Sequence, residues 1–120
     1  MTPDDVKQYC SRLLGSESKL SGAPANILTY KIGGKKFAYF KTSEPEQWRF
    51  SVRVTPEQYL ELTDQPGIKP ARYMHRFHWI SIVHVAQLPD DYLQLLIEDS
   101  YTRAFNTLSK KVREAIINNE

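Results

Sequence analysis

Apolar positions along this chain recur at two different periods, and the switches between them mark the elements. Val6, Tyr9, Cys10 and Leu13 fall on one helical stripe, which predicts a helix from about Pro3 to Leu14. Thr2 is suited to the N-cap and Pro3 to the first helical position. Asp4 and Asp5 favour the positive end of the helix dipole, and Gly15 is a stop. Ser16 to Pro24 is rich in Ser, Gly, Ala and Pro and reads as a surface loop. The period then drops to two. Ile27 to Thr42 forms a hairpin around Gly33-Gly34, whose positive φ angles suit a two-residue turn. Pairing outward from that turn sets Ile32 against Lys35, Lys31 against Lys36 and Tyr30 against Phe37. Leu28, Tyr30, Ile32, Phe37 and Tyr39 then share the core face. Lys31 and Lys36 sit together on the other face, with Ile27, Ala38 and Phe40.

Trp48 to Val54 alternates again, with Trp48, Phe50, Val52 and Val54 inward and Arg49, Ser51 and Arg53 outward. Thr55-Pro56-Glu57-Gln58 is a capping box that opens a second helix over about Pro56 to Thr63. A turn signal at Gln65-Pro66-Gly67 precedes a strand from His78 to Val85. Leu88-Pro89-Asp90-Asp91 opens a third helix carrying Leu93, Leu96, Ile97, Tyr101, Ala104 and Leu108 on one face. Ser109 caps a short last helix holding Lys110, Lys111 and Arg113. Helix, strands, helix, strand and two helices make a two-layer α+β arrangement. Its antiparallel sheet packs helices on one face and leaves the other to water or a partner. A single domain over residues 1–120 is expected.

The totals are ordinary: 41% hydrophobic, 25% charged and a net charge of +2. No apolar run approaches the ~20 residues of a membrane helix. The acidic start is not a signal peptide, and the lone Cys10 excludes an intrachain disulfide. A cytoplasmic location is the expectation. There is no phosphate loop, dinucleotide fingerprint or zinc-type cysteine pattern. His75 and His78 have metal-like spacing but lack nearby acidic or cysteine partners, so no metal and no cofactor is expected. Cys10 on an apolar stripe reads as a buried, inert thiol. Asp90-Asp91 and Glu98-Asp99 read as helix-start and helix-surface acids, and Ser100 lies mid-helix. These readings argue against an enzyme, and no small-molecule substrate suggests itself.

One segment stands apart: Lys69-Pro-Ala-Arg-Tyr-Met-His-Arg-Phe-His-Trp79 is the densest run of cations, imidazoles and rings in the chain. Such a loop can offer guanidinium groups to phosphate and rings to bases. Together with the outward residues of the sheet it gives eight candidate phosphate contacts: Lys31, Lys35, Lys36, Arg49, Arg53, Lys69, Arg72 and Arg76. DNA is therefore one candidate partner, with Arg72 and Arg76 each expected to contribute. A rival reading is a non-enzymatic interaction module. Its apolar patch of Ile27, Ala38 and Phe40, rimmed by lysines, would receive an acidic protein.

Four stretches also resemble one family: Lys31-Ile-Gly-Gly-Lys-Lys-Phe-Ala38, Ser51-Val-Arg-Val-Thr-Pro-Glu57, Met74-His-Arg-Phe-His-Trp79 and Leu96-Ile-Glu-Asp-Ser-Tyr101. Together they resemble the MmcQ/YjbR family of small bacterial proteins. The His78-Trp79 and Ser100-Tyr101 pairs are the strongest elements. The resemblance implies a fold like frataxin-like and secretion-chaperone-like α+β domains, and a monomeric protein that binds DNA in a double-wing arrangement. The chain departs from the family pattern at Tyr73, His75 and Phe77, and between Glu17 and Ala25.

Overall fold

The computed structural model describes residues 1–119, which form four helices against a six-stranded sheet. In chain order the elements are α1 (Pro3–Arg12), β1 (Ser16–Ser21), β2 (Ile27–Ile32), β3 (Lys35–Lys41), β4 (Phe50–Arg53), α2 (Pro56–Thr63), β5 (Ile68–Pro70), β6 (Trp79–Ile82), α3 (Asp90–Asn106) and α4 (Lys110–Asn118). Every strand pair is antiparallel, in the spatial order β1-β2-β3-β4-β6-β5. The α+β class and the two-layer arrangement are as the hydrophobic pattern predicts.

Local chemistry explains the helix starts. Thr2 and Asp5 form a reciprocal capping box, and so do Thr55 and Gln58. The Ser109 hydroxyl accepts from the Val112 N–H. One core fills the space between helices and sheet. Val6 and Cys10 come from α1, Leu62 from α2, and Leu93, Leu96 and Ile97 from α3. They meet Tyr30, Ile32, Phe40, Phe50, Val52, Ile80 and Ile82 of the sheet.

Three expectations need correction. Residues 16–21 are a strand and not a surface loop. This edge strand is polar on both faces, so it shows no alternation, and polar edges discourage sheet-to-sheet association. Ile68–Pro70 is a second short edge strand, tolerating proline because its outer side has no neighbour. The third correction matters most. The pairs Ile32–Lys35 and Lys31–Lys36 hold, and Gly33 and Gly34 have φ of 55° and 82°. Tyr30, however, pairs with Ala38 and not with Phe37, because a β-bulge interrupts the register. Phe37 and Ala38 both turn inward, and the alternation beyond them is inverted. Phe40 is fully buried in the core, whereas Tyr39 and Lys41 take the outer face. The expected outer patch of Ile27, Ala38 and Phe40 therefore loses two of its three members.

Candidate nucleic-acid interface

With the bulge in place, the outer face of the sheet carries Lys31 on β2, Lys36, Tyr39 and Lys41 on β3, Ser51 and Arg53 on β4, Trp79 and Ser81 on β6, and Lys69 on β5. The two serines share a buried hydrogen bond of 2.7 Å at its centre. Lys31 and Lys36 are directly opposed. Lys36 is half-buried, with its ammonium 5.1 Å from the Tyr39 ring centroid. Burial first, and the Lys31 charge second, push the Lys36 pKa below the ordinary lysine value.

The segment between β5 and β6 folds back over this face. It is held by turns of its own backbone: Met74 N–H donates to Ala71 O (3.3 Å), Phe77 N–H to Met74 O (3.1 Å) and His78 N–H to His75 O (3.0 Å). Ala71 N–H donates to Trp79 O at 3.0 Å, which fastens the loop to the start of β6. Tyr73 and His78 have φ of 67° and 64°. This region is uncommon for residues with a Cβ, and such strained residues cluster at functional sites. Trp79 is 4% exposed, with its ring 5.6 Å from Tyr39. It is buried outside the main core cluster, against Tyr39 and at the edge of a recess beside α3.

The rings of the loop do not follow Trp79 inward. Tyr73 is 78% exposed and Phe77 45%. Each lies about as far from a guanidinium, with Arg72 5.1 Å from the Tyr73 centroid and Arg76 5.0 Å from that of Phe77. Between loop and sheet lies a hollow of about 500 Å³. Arg72, Tyr73 and Met74 line it from above, and Lys36, Tyr39, Lys41 and Arg49 from below. A second hollow of about 520 Å³ shares Arg49, Arg72 and Tyr73 with the first, and adds Lys69, His75 and Ser81. Among the described residues no carboxylate lines either one. This arrangement can hold anionic groups and offer flat rings to an aromatic ligand.

The eight candidate contacts thus divide. Lys36, Arg49, Lys69 and Arg72 line the paired hollows, with Lys31 beside Lys36. Lys35 and Arg53 instead line a separate recess against α3. Arg76 lines none of these spaces and stacks on Phe77. Arg49 and Lys69 are also already engaged. Glu46 accepts from Arg49 Nη1 at 2.8 Å and from Lys69 Nζ at 2.7 Å. The lysine, then the arginine, hold its carboxyl below the usual carboxylate range. Tyr39, Lys41 and Met74 were not among the eight. Strict alternation hides Tyr39 and Lys41 on the core side, and only the bulge reveals them. His75 and His78 do not converge, since His75 lines a hollow while His78 meets Tyr59 edge-on at 5.7 Å. Cys10 is fully buried, and burial pushes its thiol up to about 12.

The model of the YjbR family matches residues 13–103, from the end of α1 to the last turn of α3. The chain belongs to the YjbR family. It is 26% identical to the uncharacterized protein YjbR of Escherichia coli K12 over 118 residues, covering 98% of both chains. It is 32% identical to the uncharacterized protein YbdF of Escherichia coli O157:H7 over 90 residues, covering 72% of this chain and 71% of that one. The crystal structure of Deinococcus radiodurans DR2400, a DUF419 domain, superposes with a TM-score of 0.81 at 23% identity, covering 96% of this chain and 87% of that one. A Pseudomonas syringae protein superposes with a TM-score of 0.68 at 20% identity, covering 87% and 99%. These two structures speak for the fold. In this YjbR chain the motif pairs have structural work. Ser100 Oγ donates to Phe37 O (2.6 Å) and accepts from Arg53 N–H (3.2 Å), bridging β3 and β4 beyond the bulge. Tyr101 packs edge-on against Phe37 at 5.4 Å, and its hydroxyl donates to Leu14 O. Trp79 N–H donates to Met74 O at 3.4 Å, which ties the loop to β6. The motif residues thus build the platform, while Arg72, Tyr73 and Phe77 stand on it.

Proposed function

We propose that this protein binds DNA without catalysing a reaction, using the outer sheet face and the loop folded over it. One observation carries the reading. Arg72, Tyr73 and Met74 of the loop line one carboxylate-free hollow with Lys36, Tyr39 and Lys41 of β3 and with Arg49, just before β4. Cations at its wall suit phosphates, and Tyr39 and the exposed Tyr73 suit an unstacked base. The overall charge of only +2 is no obstacle, because Lys36, Lys41, Arg49 and Arg72 converge on this one hollow. The acidic-protein alternative has less support, since Ala38 and Phe40 face the core.

The test is a titration with generic duplex and single-stranded oligonucleotides at several salt concentrations. Engagement of about five phosphates gives a log-affinity slope against log salt of roughly −4.5 on duplex and −3.5 on single strands. No measurable affinity for either at ~50 mM salt overturns the reading. Capture of a defined acidic protein under the same conditions would then favour the alternative.

A further inference from the structure

The second cationic space lies on the other side of Lys36. Beyond the bulge β3 and β4 no longer pair directly, since their ladder covers only Ala38–Phe40 against Phe50–Val52. The gap is spanned by Ser100 of α3. Above it is a recess of about 170 Å³ lined by Lys35, Lys36, Arg53 and Arg103, with Trp79, Ser100, Ala104 and Thr107. Four of these eight residues are cations and none is an acid. None of the four forms an ion pair among the described residues, in contrast to Arg49 and Lys69. They come from three elements that are far apart in the chain, so no run of basic residues announces them.

We propose that this recess is a seat for a single phosphate group, with Arg103 as a ligand-binding residue alongside Lys35, Lys36 and Arg53. The volume equals roughly five or six liquid waters, enough for a phosphate with part of its hydration. Arg103 is anchored in place, because Nη1 donates to Arg53 O at 3.2 Å. A guanidinium carries five N–H donors, so the rest remain for an anion. The hydroxyls are occupied: Ser100 as described, and Thr107 donating to Ala104 O at 2.7 Å. The seat therefore works through charge. The C-terminal turn of α3 contributes a partial negative charge of about half a unit, which opposes an anion, but four full positive charges outweigh it. Burial and the neighbouring Lys31 disfavour the charged form of Lys36 when the recess is empty. A phosphate there would relieve that cost. The ligand is either free phosphate or a phosphate of a nucleic-acid strand, and the latter source rests on the function proposed above.

The experiment follows backbone amides of residues 35–37, 53, 103 and 107 and the Arg103 side-chain N–H by NMR. Inorganic phosphate is added against chloride at matched ionic strength. Saturable shifts at these positions with phosphate alone are expected. Arg103→Gln and, separately, the exposed Lys35→Gln should each weaken that binding by about tenfold. Arg103→Lys should restore part of the loss. Short oligonucleotides with and without a 5′-phosphate are then compared on parent and Arg103→Gln. Preference for the phosphorylated strand identifies a terminal phosphate. Equal affinities that both fall in Arg103→Gln identify an internal one. If phosphate binds but oligonucleotides do not, the seat stands, its ligand is free phosphate, and the DNA reading falls. If oligonucleotides bind but phosphate shifts match chloride and Arg103→Gln costs nothing, the seat is overturned while the DNA reading survives.

Discussion

Replacing Ser100 with alanine should destabilise this fold out of proportion to the one atom removed. Ser100 is 2% exposed and its hydroxyl makes two hydrogen bonds, to Phe37 O at 2.6 Å and from Arg53 N–H at 3.2 Å. The first is buried. Leaving that carbonyl unsatisfied costs about 1–3 kcal/mol. The second is part-buried, so water can replace the hydroxyl there, and the added cost is up to about 1 kcal/mol. The sum is about 1–4 kcal/mol, a large share of the roughly 5–15 kcal/mol that holds a domain of this size. Thr107→Ala is the matched control. It removes a hydroxyl from the end of the same helix, but that group is exposed and bonds only back to Ala104 O, so the loss should stay within ~0.5 kcal/mol. Urea unfolding followed by fluorescence and circular dichroism gives both numbers. The midpoint of Ser100→Ala should fall with the slope unchanged. If Ser100→Ala is no less stable than Thr107→Ala, the bridge across the β3–β4 gap does not carry the weight assigned to it.

Trp79→Ala should cost about 3 kcal/mol, the low end for a buried tryptophan, because Tyr39 and the loop can settle into part of the space; a urea-measured loss below about 1 kcal/mol would refute its burial. Glu46→Gln should free Arg49 and Lys69, tighten duplex binding at low salt and steepen the salt slope by about 1–2. The same variant tests linkage: the depressed carboxyl stabilises the fold above its unfolded pKa, and that contribution is lost as pH falls through the lower folded value. The variant should therefore lose less stability than the parent on acidification, as thermal melts across pH 3–6 would reveal. Tyr73→Ala should weaken single-strand affinity by about 1–3 kcal/mol with little change in melting temperature, whereas unchanged affinity would deny the ring a stacking role. Arg72→Ala should weaken DNA binding more than Arg76→Ala, since only Arg72 lines the hollow; the reverse order in the same titration would move the site to the far side of the loop.

Much of this was legible because it is local. A capping box needs four consecutive residues, so the one at Thr55 was readable; at Thr2 the cap was readable but the reciprocal bond to Asp5 was not. The Gly33-Gly34 turn follows from the dihedral angles it demands. Long periodic segments identified α1 and α3 within two or three residues. The edge strands were not legible, since β1 has polar residues on both faces and β5 is three residues long. Nor was the seat of Arg103, which depends on three separate elements meeting. The cations of the loop were visible as a run, but their charge balance was not. Glu46 lies 23 residues from Lys69 in the chain and still neutralises it.

The bulge at Phe37 ties the fold to the proposed site more closely than any ligand-facing residue does. A period-two reading has no place for an extra residue, so it carries the core face of β3 straight through to Tyr39. The extra residue inverts everything from Ala38 onward. Phe40 enters the core against Phe50 at 4.7 Å, and Tyr39 emerges over Trp79. Lys41 emerges on the same outer face. The bulge also ends the β3–β4 ladder, and this opens the gap that Ser100 bridges and that Lys35, Lys36, Arg53 and Arg103 surround. One inserted position thus produces a ring-and-cation hollow on one side of Lys36 and a carboxylate-free recess on the other. A variant lacking Phe37 would restore strict alternation with Ala38 and Phe40 still facing the core and Tyr39 and Lys41 still outward, and its cost would be the lost Phe37 ring and the backbone that Ser100 bridges. Its failure to fold would say little about binding. Substitutions at Ser100 and Arg103, by contrast, leave the bulge intact and probe its two consequences separately.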